Sequence, residues 1–315
     1  MIIAQSKKIK KTPIVSVLMS VYKEPIEWIE ESINSILNQS FSDFEFIIVN
    51  DNPTSAELRK FLNEFKNKDS RIKVITNSEN LGLTKSLNIG LKHCNGEYIA
   101  RMDADDISHP KRFEYQYEYL ESHPDVIVCG SDVKFIGNKS IFLYSCLFEN
   151  DIDIRGQMLT NSGFAHPSVF IRRSILSLNN IHYDENFKSA QDYRLWEQLC
   201  SYGKFHNINK KLLKYRISDS QISNLNLVAQ TKNREQIKAN FYGRLESQNL
   251  LISHDIITKS KEKILSSYLL RSQIYNSFSI CLILKFILSN KTKCSIKEII
   301  FLISYAIYKK IKGNK

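Results

Sequence analysis

Cysteine is sparse and unpaired in this 315-residue chain. The six cysteines, Cys94, Cys129, Cys146, Cys200, Cys281 and Cys294, are scattered and form no C-x-x-C pair. Each sits in or beside an apolar run, which suggests reduced core thiols in a cytosolic setting. No uninterrupted apolar run reaches the roughly 18 residues of a transmembrane helix. The opening MIIAQSKKIKKTP carries lysines but no following apolar stretch of signal-peptide length, so export is not expected. There is no G-x-G-x-x-G and no G-x-x-x-x-G-K-[ST], which disfavours a Rossmann dinucleotide site and a P-loop. Internal repeats, RNA-module signatures and a C-x₂-C…H-x-H pattern are also missing. What the chain does have is positive charge: a formal net +11 and a pI near 9.2. Anionic partners therefore suit it, whether nucleic acid, a nucleotide-diphosphate substrate or an acidic membrane surface.

The first half alternates between two periodicities. Ile14 to Ser20 is an apolar, β-branched run of the kind found in buried parallel strands. Trp28, Ile29, Ile33, Ile36 and Leu37 then repeat at helical spacing. Phe44 to Val49 reads as a second strand, and Leu58, Phe61, Leu62 and Phe65 as a helix. Arg71 to Thr76 is a third strand, followed by a helix marked by Leu83, Leu87 and Leu91. Tyr98 to Arg101 is the fourth strand. This alternation predicts an α/β fold with a doubly wound, mostly parallel sheet flanked by helices. Residues 126 to 148 read as further strands and 185 to 202 as helical. Beyond about residue 226 the chain turns helical, lysine-rich and poor in Gly and Pro.

The fourth strand runs into Met102-Asp103-Ala104-Asp105-Asp106. Carboxylates at alternate positions of an extended backbone point to one side, so Asp103 and Asp105 form a pair. Such a pair suits a hard divalent cation that also takes phosphate oxygens from a substrate. Strand two ends at Asp51, and strand one ends at Ser20-Val21-Tyr22-Lys23-Glu24. In a doubly wound sheet these termini share one edge, so Tyr22, Asp51 and the Asp103/Asp105 pair are expected to meet in one crevice. A ring there can stack on a base, and a carboxylate can accept from a base N–H.

Longer phrases carry a resemblance. PIVSVLMSVYKEPIEWIEESINSILNQSFSDFEFIIVNDNPTS, NLGLTKSLNIGL, GEYIARMDADD, HPKRFEYQ, FAHPSVFIRRS, AQDYRLWEQL and YRISDSQIS resemble the inverting family 2 glycosyltransferases of GT-A fold. The similarity covers about residues 13 to 225, some two-thirds of the chain. It is closest to bacterial enzymes that build capsule, exopolysaccharide and O-antigen units. It implies that Tyr22 stacks on the nucleotide base and Asp51 contacts uracil. It implies that Asp103 and Asp105 form the metal-binding D-x-D, holding the nucleoside diphosphate through Mg²⁺ or Mn²⁺. Asp192, in AQDYRLW, matches the general base that takes the acceptor's hydroxyl proton. A base on one face of the sugar and a metal on the leaving group are what in-line displacement requires. Lys85 and Arg216 are further nucleotide-binding candidates, Lys85 reaching a phosphate from its helix or simply lying in solvent.

The departures are specific. Strand one ends S-V-Y-K where the family often has P-V-Y-N, and strand two ends N-D-N-P-T-S in place of D-D-G-S-T-D. The usual E-D pair is Gln191-Asp192, which removes a like charge and should lower the Asp192 pKa relative to a paired carboxylate. The Y-R-x-H pattern becomes Tyr215-Arg216-Ile217-Ser218, which weakens the case for Arg216. His166 lines the acceptor side or holds a turn, with the turn favoured. His109 and Arg112 orient the D-x-D or simply start a helix. Asp106 is expected to support the next segment rather than join the ligand pair.

Together these readings predict a basic tail at 1–12, a GT-A domain at 13–225 and a helical basic extension at 226–315. Apolar segments Ile280 to Leu288 and Ile299 to Ile307, with Lys309, Lys310, Lys312 and Lys315, suit the headgroup region of an anionic membrane or an ordinary helical cap packed on the catalytic domain. The expected partners are a nucleotide-sugar donor, most simply a UDP-sugar, and a lipid-linked saccharide acceptor. The expected location is the cytoplasmic face of a bacterial plasma membrane. A catalytically silent GT-A module acting as a binding partner is the alternative. Nucleic-acid binding ranks last, because the lysines are dispersed.

Overall fold

The computed structural model describes residues 12–137, 147–159, 162–218 and 227–247. In chain order these form β1 (Val15–Val21), α1 (Ile26–Leu37), β2 (Phe44–Asn50), α2 (Ala56–Lys68), β3 (Ile72–Thr76), α3 (Leu83–His93) and β4 (Tyr98–Asp103). Then come β5 (Ile107–Ser108), α4 (Arg112–Ser122), β6 (Val126–Ile136), α5 (Asp151–Met158), β7 (Phe170–Arg172), α6 (Arg173–Leu178), α7 (Gln191–Leu199), β8 (Lys204–Arg216) and α8 (Leu227–Ser247). The tail at 1–11 and the apolar segments after residue 280 lie outside the described residues. No described helix is long and apolar enough to cross a membrane.

The described strands make one sheet in the order β3-β2-β1-β4-β7-β6-β8-β5. β1, β2, β3 and β4 pair in parallel. β7 runs antiparallel to both β4 and β6, and β6 pairs in parallel with β8. The expected parallel half is therefore present, joined to a mixed half that holds the long β8. All seven residues of β1 and of β2 are buried, as strands covered on both faces require.

Period-two alternation sorts the sheet's two cores. Val15, Val17, Met19 and Val21 of β1 join Tyr98, Ala100 and Met102 of β4 against α1, α2 and α4. Leu18 and Ile99 face the other way, toward α3, α7 and α8. Ile237, Phe241 and Leu245 of α8, spaced four apart, lie in that second core. Gly90 lets α3 sit close: a Cβ there would lie 2.2 Å from Leu18 Cδ1. Cys94, Cys129 and Cys200 are free, buried thiols.

Candidate active site at the carboxyl ends of the parallel strands

Strand order reverses between β1 and β4. From β1 the chain builds outward through β2 and β3, then returns to place β4 on the other side of β1. The crevice beyond such a switch point is where open α/β sheets bind ligands. Ser20 pairs with Asp103, and Val21 with Asn50, so Tyr22, Asp51 and the acidic segment all emerge at this edge.

Asp103, Asp105 and Asp106 each offer a carboxylate oxygen, and these oxygens lie within 4.8 Å of one another. Asp106 thus joins the pair, contrary to the expectation that it only supports the next segment. It does both. Its Oδ1 accepts from the Arg216 backbone N–H at 2.8 Å, and its buried Oδ2 has no hydrogen-bond partner. Glu24 comes close as well: its Oε2 accepts from Tyr22 N–H at 2.7 Å, and its charge reaches Asp105. Burial, then the charges of Asp103 and Glu24, push the Asp105 carboxyl up to about 7. Burial, then Asp103 and Asp105, holds Asp106 well above the usual carboxylate range. Converging carboxylates, one with a buried orphan oxygen, are a donor set that fits a hard divalent cation. Ser32 Oγ, donating to Asp103 O at 2.8 Å, fixes the backbone of the cluster from α1.

Asp51 is 2% exposed, and its carboxylate already accepts four hydrogen bonds. Oδ1 takes Asn77 Nδ2 at 2.7 Å and Leu81 N–H at 2.8 Å, while Oδ2 takes Asn80 Nδ2 at 3.0 Å and Gly82 N–H at 2.8 Å. Two carboxylate oxygens offer about four lone-pair sites. Asp51 therefore anchors the 77–82 loop that enters α3, and a base N–H would have to share an occupied oxygen. Gly82, at φ +82°, supplies the left-handed backbone the loop needs. Tyr22 is half-buried, with Lys23 Nζ 4.9 Å from its ring centroid and the Asn52 amide donating to its carbonyl at 3.0 Å. Lys85 is exposed on the first turn of α3.

Arg216 closes β8 onto the cluster. Its Nε donates to Asp105 O at 2.7 Å, it pairs with Glu31 at 2.5 Å, and its guanidinium lies 4.7 Å from the Trp28 ring centroid. These contacts tie it to α1 and the D-x-D backbone. Arg112 is fully buried, donating to Arg101 O at 2.8 Å, and so props the end of β4 from beneath. His109 is exposed, its Nδ1 accepting from Lys111 N–H at 3.1 Å in a helix-start turn.

Asp192 sits in the first turn of α7, after Ala190 in the left-handed region at φ 60°. Strain of this kind in a non-glycine residue often marks a functional turn. Ser162 Oγ donates to Asp192 Oδ2 at 3.2 Å. Burial raises the Asp192 pKa above the ordinary aspartate value. His166 opens a 3₁₀ turn, and its Nε2 lies 2.8 Å from Tyr183 Oη. Burial, then Arg101, keeps His166 neutral. The buried Tyr183 lies within reach of the charges of both Asp192 and Asp103. α8 braces this side: Asn233 Nδ2 donates to Ser189 O at 3.1 Å, and Glu197 of α7, fully buried, pairs with Arg194 and Arg244.

Comparison with known proteins decides the family. The glycosyl transferase family 2 model matches residues 16–178. An uncharacterized glycosyltransferase, MJ1057, of Methanocaldococcus jannaschii is 35% identical over 80% of this chain and 81% of its own length. The chain belongs to glycosyl transferase family 2. The O-antigen biosynthesis glycosyltransferase WbnJ of Escherichia coli is 33% identical to this glycosyltransferase, over 64% of the chain and 79% of that protein. The amylovoran biosynthesis glycosyltransferase AmsE of Erwinia amylovora is 32% identical over 66% and 78%. The crystal structure of S. aureus TarS 1–349 in complex with UDP-GlcNAc matches the fold with a TM-score of 0.57, at 20% identity over 79% of each chain. The glycosyltransferase thus has the expected GT-A fold, and the sequence resemblance holds.

Proposed function

We propose that this glycosyltransferase is a metal-dependent, inverting enzyme. It moves a sugar from a UDP-sugar to a lipid-linked oligosaccharide during surface polysaccharide assembly. One observation carries the reading: a three-carboxylate cluster at the β1/β4 switch point, with the charges of Asp103 and of the half-buried Asp192 both reaching Tyr183. Asp103, Asp105 and Asp106 would hold Mg²⁺ or Mn²⁺. A cation held there would offset the charge that develops on the departing diphosphate.

The chain's own residues do the rest. Tyr22 offers a ring to the base, and Asp51 shapes the base-side wall through the 77–82 loop. Lys85, exposed at the start of α3, is placed to meet a phosphate. Arg216 fixes the Asp105 backbone and contributes to the nucleotide site from behind. Asp192 accepts the proton of the acceptor hydroxyl as that oxygen attacks the anomeric carbon, and the sugar–diphosphate bond breaks on the opposite side. Its raised pKa suits a base. The O-antigen and amylovoran relatives support the pathway, and the UDP-GlcNAc complex of TarS supports the donor class. Net charge of +11 and the C-terminal basic segments support contact with the cytoplasmic face of a membrane. The domain limits at 13–225 and 226–315 belong to the same reading.

The test is a panel of nucleotide sugars with Mg²⁺ or Mn²⁺, reading release of the nucleoside diphosphate with and without EDTA. Release from a UDP-sugar that stops on chelation is the expected result. Turnover that EDTA leaves untouched, or no UDP-sugar turned over, contradicts the proposal.

A further inference from the structure

Arg101 is not explained by the fold. It lies on β4 two residues before Asp103, on the same face as the apolar Ile99, and is only 1% exposed. A buried guanidinium is costly unless paired and hydrogen-bonded. Its Nη1 makes an ion pair with Asp103 Oδ1, but neither Nη1 nor Nε has a well-aligned hydrogen bond. The Asp103 side chain remains 30% exposed, so the pair spans from the core to the crevice. Arg112 donates to the Arg101 carbonyl, not to its side chain, and carries a second positive charge nearby. An apolar residue would fill this place at less cost, so the charge itself points to a role at the cluster.

We propose that Arg101 is a positioning residue of the cation site, a buried counter-ion that holds one oxygen of Asp103, turns the other to a divalent cation and keeps that cation's binding reversible. The inference rests on the reading of Asp103, Asp105 and Asp106 as cation ligands. With Oδ1 engaged by Arg101, Asp103 offers a single oxygen rather than a chelating pair. Ser32 holds the Asp103 carbonyl at the same time, so backbone and side chain are both fixed. The positive charge also reaches Asp106 and Tyr183, weakening the pull of the cluster on any ion. A site that must release a cation-bound nucleotide product needs such a brake.

The experiment titrates Mn²⁺ into the chain, alone and with UDP present, and reads bound ion by water-proton relaxation. Arg101→Met removes the charge and should bind Mn²⁺ about threefold or more tightly than wild type, because a nearby like charge no longer repels the ion. Arg101→Lys keeps the charge and should stay within about twofold, whereas Asp103→Asn should bind roughly tenfold or more weakly. An Arg101→Met variant of wild-type circular dichroism that binds Mn²⁺ equally or more weakly overturns the assignment. Metal-free melting covers the case in which Arg101→Met alone does not fold. Asp103→Asn, which strands the buried guanidinium, should lower Tm, and the Arg101→Met/Asp103→Asn double variant should recover more than half of that loss. A double variant no more stable than Asp103→Asn also overturns it. Wild type that binds no Mn²⁺ in either arm overturns the cation reading and this inference together. Bound ion in wild type with an unchanged Arg101→Met overturns the inference alone.

Discussion

Asp51→Asn should loosen the loop that forms the wall of the nucleotide crevice. In wild type the carboxylate accepts from Asn77, Asn80, Leu81 and Gly82. An asparagine oxygen keeps two of these donors and turns an NH₂ toward the other two. Hydrogen bonds to a charged acceptor contribute about 1.5–3 kcal/mol each, so losing two costs about 3–6 kcal/mol. The exposed side of Asn80 can regain water, which moves the expectation to the lower end, about 3 kcal/mol. That is a large fraction of a typical domain stability of roughly 5–15 kcal/mol. Urea unfolding of nucleotide-free protein measures the loss directly, and limited proteolysis should show new cleavage between residues 77 and 82. A role confined to base contact predicts the opposite pattern, with unchanged stability and weaker UDP binding. A stability change below about 1 kcal/mol would refute the loop-anchoring argument.

Other outcomes follow from the same contacts. The acid limb of the pH–rate profile should lie above the ordinary aspartate range: burial raises the Asp192 pKa, and activity is lost as pH falls through it. A limb near the value of a solvated aspartate contradicts this. Glu197→Ala should destabilise by about 1–3 kcal/mol in equilibrium unfolding, since Arg194 and Arg244 lose a shared buried partner but are themselves exposed enough to regain water. Gly90→Ala should cost about 1–3 kcal/mol in the same assay, because the new Cβ displaces Leu18 in a packed core.

The parallel half of the sheet was readable because its strands are continuous apolar runs that periodicity marks without help. β8 was not. Asn209, Lys210, Lys211 and Lys214 obscure its apolar face, and its pairing with β6 shifts register near Asp132. β5 and β7 span two and three residues, too short for any period to show. At the site, Asp103 and Asp105 could be picked out as a D-x-D at a strand end, but β4 stops at Asp103 and Asp105 lies in the turn after it, so strand alternation is not what brings them together. Asp106 could not, because the turn that brings it inward depends on the Arg216 backbone 110 residues away. Glu24 follows Tyr22 in sequence by two positions, but its approach to Asp105 is a consequence of the β1/β4 pairing. Gln191 says only how Asp192 compares with a paired carboxylate; its shift from the ordinary aspartate value comes from burial, a tertiary property.

In the proposed reaction Asp192 and the acidic cluster act on one sugar, the first as base and the second at the leaving group. Asp192→Asn assayed for transfer and for UDP-sugar binding in the same preparation tests it most directly. Donor binding should stay close to wild type while transfer falls about 10²–10⁴-fold. Transfer at the wild-type rate would contradict it.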